Sequence, residues 1–167
     1  LYPGPTLAWI ELALLILAGL MELGLSEGGD RLMIAGATSG DTGGAALEAF
    51  KTCDGIETFF MFPDGKVSDF QRRQMTTVGA DNCHALAIDG SFDDCQTMVK
   101  DMFANQAFAS RVKLSAVNSI NWGRVMAQVV YYFTAATALG APEQKVSFTV
   151  PTGNFGDIYA CLLYTSD

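Results

Sequence analysis

The chain has 167 residues, 50% hydrophobic and 17% charged, with a net charge of −8. That length supports a sizeable core, and an acidic balance without a basic cluster argues against nucleic acid and anionic membranes as partners. Cys53, Cys83, Cys95 and Cys161 form no C-x-x-C pair and His84 stands alone, so no metal site is expected, and reduced thiols in a cytoplasmic compartment are.

The first element is apolar Leu7–Leu25. Glu11 and Glu22 bracket an uncharged run of ten residues, Leu12–Met21, short of the roughly 20 that span a bilayer. No basic n-region or cleavage site marks a signal peptide. A helix buried on most sides is expected. The chain opens at Leu1 without an initiator methionine, so a fragment is expected.

Arg31–Phe50, RLMIAGATSGDTGGAALEAF, reads as a strand at Leu32–Ala35, a Gly/Ser/Thr/Asp loop and a helix opening near Gly43. Such a loop gathers backbone N–H groups and hydroxyls, and the helix adds its positive end. An anion site, for phosphate or carboxylate, is expected; the alternative is a glycine-rich turn with no ligand. Neither G-x-G-x-x-G nor a P-loop is matched.

Glu57–Phe62 reads as a strand halted by the turn Pro63-Asp64-Gly65. Ser68 caps a helix over Asp69–Thr77, Ala85–Ile88 is a strand, and Phe92–Phe103 is a helix with Asp93 and Asp94 in its first turn. Leu114–Val117 is a strand candidate. Asn118–Ala138 is helical, with Trp122, Val125, Val129 and Tyr132 spaced for a buried face. Val146–Val150 is a last strand, before the loop Thr152–Asp157 and a helix from Asp157 or Ile158. Strands alternating with helices imply a parallel, doubly wound α/β sheet with ligands at the carboxyl ends of strands.

Two glycine loops follow strands, with the polar-aromatic segment Asn118-Ser119-Ile120-Asn121-Trp122 between them. With Gly4-Pro5-Thr6-Leu7-Ala8, Gln74-Met75-Thr76-Thr77, Phe92-Asp93-Asp94-Cys95-Gln96, Gly123-Arg124 and Val150-Pro151-Thr152, these motifs run in order from Leu1 to about Ala160. In that order they resemble the threonine synthases, pyridoxal-phosphate (PLP) lyases of the fold-type-II, tryptophan synthase β-like group, and most closely the fungal and bacterial branch. A threonine dehydratase-like identity leaves the NSINW and QMTT segments unexplained.

The resemblance implies a fold of two open, doubly wound αβα lobes: Arg31–Ala116 as a smaller mobile lobe, Leu1–Asp30 and Val117–Asp167 as part of a larger, truncated one. Gly153, Asn154, Phe155, Gly156 and Asp157 match the loop that holds the PLP phosphate. Ser39, Gly40, Asp41 and Thr42 match the loop that receives the substrate's amino-acid end. Asn118, Ser119, Asn121 and Arg124 match a segment lining the same cleft. Arg124 suits a phosphate through its two-pronged donor geometry; the alternative is a surface ion pair. The implied activity is a carbon–oxygen lyase of threonine biosynthesis, converting O-phospho-L-homoserine and water to L-threonine and phosphate with PLP as electron sink.

One motif departs from the family. After Thr6-Leu7-Ala8 the family has Phe-Lys-Asp, and its lysine joins PLP covalently; this chain has Trp9-Ile10-Glu11. No catalytic residue is therefore assigned. Loss of a general base alone costs about 10²–10⁴ in rate. The expectation is a fragment inactive alone; the missing lysine has three explanations, a non-catalytic PLP- or phosphate-binding pseudoenzyme, a cofactor-free relative with a binding role, and a sequence error or altered reading frame at Trp9–Glu11, of which the last is favoured. The tail Cys161–Asp167, CLLYTSD, also leaves the family pattern and reads as translated adapter sequence.

Overall fold

The computed structural model describes residues 6, 10–26, 31–117, 121–150 and 155–165. The chain forms two compact units, Leu1–Val117 and Asn118–Asp167.

The first unit is built on a four-stranded parallel sheet in the order β3-β2-β1-β4. Strands β1 (Leu32–Ala37), β2 (Ile56–Pro63) and β3 (Cys83–Ile88) contain the expected runs and extend them by one to two residues at their ends. Strand β4 is shorter than its apolar run, covering only Leu114–Ser115, which pair with Met33 and Ile34. Parallel strands need crossovers. Helix α2 (Asp41–Phe50) joins β1 to β2, α3 (Asp69–Thr76) joins β2 to β3, and α4 (Phe92–Ala104) with α5 (Gln106–Val112) joins β3 to β4. Ile34, Leu47, Phe50, Ile56, Phe60 and Phe62 are the buried centre.

Two helix starts follow directly from their caps. Ser68 accepts the Gln71 N–H and Gln71 reaches back to the Ser68 N–H; Ser91 and Asp94 repeat the device. Helix α5 was not expected. Asn105 ends α4 and its side chain accepts the Phe108 N–H, so one residue closes one helix and opens the next.

Helix α1 (Glu11–Ser26) corrects the expectation of burial on most sides. Ala13, Leu14, Leu17 and Ala18 are buried, whereas Leu12, Leu15, Leu20 and Leu23 are 46–66% exposed. The physical reason is that, among the described residues, α2 is the main neighbour: it packs along one stripe and leaves the opposite stripe open. Among the described residues no helix is long and apolar enough to cross a membrane.

The second unit pairs α6 (Trp122–Ala138) with α7 (Gly156–Thr165). Val125, Tyr132 and Ala160 form its core, with Val129, Phe148 and Val150 against them. Val146–Val150 is not a strand in the structure. Its side chains still alternate between half-buried and exposed, as the sequence suggests, but no second strand lies beside it among the described residues to complete a ladder. Trp122, expected on the buried face of α6, is 57% exposed.

Candidate functional site

The first glycine loop is shaped from within by Thr38, which is buried. Its hydroxyl accepts the N–H groups of Gly40 and Gly43, both at 2.9 Å. These donors are therefore committed to the fold rather than offered to a ligand. Helix α2 opens at Asp41, two residues before the expected start. By helix geometry the N–H groups of Asp41 and Thr42 have no intrahelical acceptor and stand at the positive end of the helix dipole.

Ser39 and Asp41 are exposed, Thr42 is half-buried and Gly40 is buried. Gly40 has φ 135°, which disfavours any side chain, and a Cβ there would meet Gln71 Cδ at 2.4 Å. The Asp41 carboxylate accepts a hydrogen bond from Gln71 Nε2 at 2.7 Å. The loop is thus ordered by α3 from outside and by Thr38 from inside.

Of the segment before α6, Asn118 and Ser119 lie outside the described residues. Asn121 is the N-cap of α6, its side-chain oxygen accepting the Gly123 N–H at 3.0 Å. That bond anchors the helix start on which Arg124 sits. Arg124 is 2% exposed, which excludes a surface ion pair. Its Nε and Nη1 have no hydrogen-bond partner among the described residues. Burial pulls its pKa down to about 10, well below the usual guanidinium range, partly countered by Tyr131. A buried guanidinium without an acceptor is costly, and an anion supplies what it lacks.

In the second glycine loop, Gly153 and Asn154 lie outside the described residues. Phe155 has φ 60°, a left-handed conformation uncommon for a bulky residue, and its carbonyl accepts the Tyr159 N–H at 2.9 Å. Gly156 is buried and opens α7; the Asp157 carboxylate accepts the Ile158 N–H at 2.8 Å. The Trp122 and Tyr159 rings stand 6.4 Å apart, which brings the first turns of α6 and α7 side by side. Tyr132 is buried, its hydroxyl has no partner among the described residues, and burial, Cys161 and Asp157 push its pKa up to about 12. Two helix N-terminal turns side by side suit a phosphate, and Arg124, in the first turn of α6, adds a buried donor without a described acceptor.

Ile10, where the resemblance to the family leads one to expect a lysine, is half-buried and packs on the main core. Glu11 is buried; one carboxylate oxygen accepts from the N–H and hydroxyl of Thr6, and the other has no partner among the described residues. The Thr6 carbonyl in turn accepts Gln74 Nε2 at 2.8 Å. The sequence analysis missed Thr38, Gln71 and Glu11. Only Gln71 carried a readable signal, its place three residues after Ser68. His84 stacks on Phe59 at 4.4 Å and lies 3.1 Å from Glu57. Among the described residues no group of His, Cys, Asp and Glu could hold a metal ion.

The chain is similar in sequence and fold to known proteins. Threonine synthase of Pseudomonas aeruginosa is 57% identical over 160 residues, 96% of this chain and 34% of the relative. The chain belongs to the threonine synthase family. A crystal structure of PLP-bound threonine synthase from Brucella melitensis matches with a TM-score of 0.92 and 58% identity, over 96% of this chain and 35% of that one. The yeast threonine synthase structure matches at TM-score 0.84 and 41% identity, over 95% of this chain and 33% of that one. The fold is accordingly that of the fold-type-II PLP enzymes. The chain spans about a third of the length of the relatives it matches. No family model matches it.

Proposed function

We propose that this chain is part of a threonine synthase-type, PLP-dependent lyase that converts O-phospho-L-homoserine and water to L-threonine and phosphate in the cytoplasm. The observation that carries the reading is Arg124, a guanidinium 2% exposed with two donor atoms lacking any described acceptor. In this reading Gly153–Asp157 holds the PLP phosphate, with α7 behind it. Ser39, Gly40, Asp41 and Thr42 receive the carboxylate end of the substrate. Asn118, Ser119 and Arg124 take its phosphate, and Asn121 fixes the helix that carries Arg124. Arg31–Ala116 forms the smaller lobe, and Leu1–Asp30 and Val117–Asp167 belong to the larger.

PLP, when bound, supplies the electron sink for carbanion chemistry. This chain's residues bind and orient its phosphate, but Ile10 offers no amine for covalent attachment. The chain alone is therefore inactive in this reading. That same residue supports a second reading, a non-catalytic PLP- or phosphate-binding protein of the same fold.

The test is to mix the purified protein with PLP, reduce with borohydride and map any modified lysine, alongside an assay of phosphate release from O-phospho-L-homoserine. Saturable PLP binding without a uniquely modified lysine and without turnover is expected. Specific labelling of one lysine together with turnover overturns the assignment of inactivity. No saturable binding of either PLP or O-phospho-L-homoserine overturns both readings.

A further inference from the structure

Helix α3 lies along the first turns of α2 on a face made of glycine. A Cβ at Gly40 would meet the Gln71 side chain at 2.4 Å, one at Gly43 would meet Met75 Sδ at 3.0 Å, and one at Gly44 would touch Gln74 Cβ at 3.5 Å. Positions 40, 43 and 44 face 71, 74 and 75, the same i, i+3, i+4 spacing on both sides, so the helices approach as closely as bare backbone allows.

Two glutamines on α3 then reach in different directions. Gln71 spends its whole amide: Oε1 accepts from the Ser68 N–H at 3.2 Å and hydroxyl at 2.9 Å, and Nε2 donates to Asp41 Oδ1 at 2.7 Å. Gln74, one turn on, donates to the Thr6 carbonyl at 2.8 Å. Thr6 in turn donates to Glu11, next to Ile10. These links join residues 30 and 68 apart in sequence.

We infer that α3 is a clamp, in which Gln71 is the positioning residue of the Ser39–Thr42 loop and Gln74 that of Thr6 and, through it, Glu11. The inference rests on the reading of that loop as the substrate-receiving one. Gln71 is suited to the task because its amide orientation is dictated: the oxygen is held by Ser68, so only the N–H₂ can face Asp41. A glutamate at this position keeps the Ser68 bonds and turns a second carboxylate oxygen toward Asp41, so attraction becomes repulsion.

The experiment is hydrogen exchange of the full chain at pH 7, with and without O-phospho-L-homoserine as probe. Gln71→Glu is expected to speed amide exchange at residues 40–44 about ten-fold or more, the size of one lost charge-assisted bond. Exchange at residues 10–14 should hold. Gln74→Leu should do the reverse. Adding Asp41→Asn to Gln71→Glu restores a donor–acceptor pair with the roles exchanged, and should return slow exchange at 40–44. Unchanged exchange at 40–44 in Gln71→Glu overturns the clamp. Equal acceleration everywhere, with no rescue by Asp41→Asn, also overturns it. Faster exchange at 40–44 with unaltered affinity for O-phospho-L-homoserine upholds the clamp and overturns the substrate reading of the loop instead.

Discussion

The Thr38 hydroxyl accepts the N–H groups of Gly40 and Gly43 at 2.9 Å each, from a buried position. One side chain thereby fixes the turn between β1 and α2. Thr38→Val keeps the shape and removes the acceptor, leaving two buried donors unsatisfied. A loss of about 2 kcal/mol or more is expected, read as a lower urea midpoint. Thr38→Ser retains the acceptor and should lose less. A loss in Thr38→Ser with none in Thr38→Val would assign the effect to the methyl group, which lies against the position a Gly43 Cβ would occupy.

Arg124 makes an opposite prediction. It is 2% exposed and burial pulls its pKa down to about 10. The sign follows from proton binding. The unfolded chain holds this proton to higher pH than the folded chain, which releases it near 10, so stability from this group rises as pH rises above about 10. At neutral pH the cost is fully present, about 3 kcal/mol. Arg124→Met should therefore raise the urea midpoint in phosphate-free buffer. O-phospho-L-homoserine should stabilise the unsubstituted chain in proportion to ln(1 + [L]/Kd) and stabilise Arg124→Met much less, whereas PLP should stabilise both. A variant destabilised in plain buffer would mean that the guanidinium already has an anionic partner.

How far the sequence carried these features depends on the range of the forces involved. Ser68 with Gln71, and Ser91 with Asp94, announce their helices because capping acts over three residues. The apolar runs of β1, β2 and β3 were legible for the same local reason. Val146–Val150 alternates as a strand should, yet a strand also requires a neighbour. Trp122 fits the apolar period of α6, but packing turned it outward and buried Arg124 instead. In the site, the glycine loops were visible as composition. That Thr38 consumes two of the loop's donors, and that Gln71 secures Asp41, depends on contacts made only once α3 folds against α2.

Ile10 is half-buried and packs on the main core. Its replacement by lysine puts a long amine where the resemblance to the family implies one. Ile10→Lys is expected to give one reducible PLP adduct at residue 10, mapped by peptide mass after borohydride reduction, where the unsubstituted chain gives none that is specific. Turnover need not follow, because the chain spans a third of its relatives' length. Adducts spread over Lys51, Lys66 and other surface lysines in both proteins would show that the segment around residue 10 does not face the cofactor.

The last prediction concerns the base of the sheet, away from the glycine loops. Asn82 Nδ2 donates to the carbonyls of Phe50 at 3.0 Å, Cys53 at 3.3 Å and Ile56 at 2.9 Å. The end of α2 and the start of β2 are thus tied to the segment entering β3 by one amide. Asn82→Ala removes these bonds, the Phe50 carbonyl keeping the Cys53 N–H as a donor, and should lower stability by about 2 kcal/mol. Asn82→Asp is the sharper probe, because an ionised carboxylate facing carbonyl oxygens is repelled while its protonated form can donate to one of them. Its folded pKa should therefore lie above the unfolded value of about 3.9. A raised acid pKa means stability is retained at low pH and lost as pH rises through the folded value. Urea midpoints of Asn82→Asp relative to the unsubstituted chain should fall between about pH 4 and pH 7. A constant difference across that range would show that the carboxylate has turned to solvent and that the three carbonyls are satisfied without residue 82.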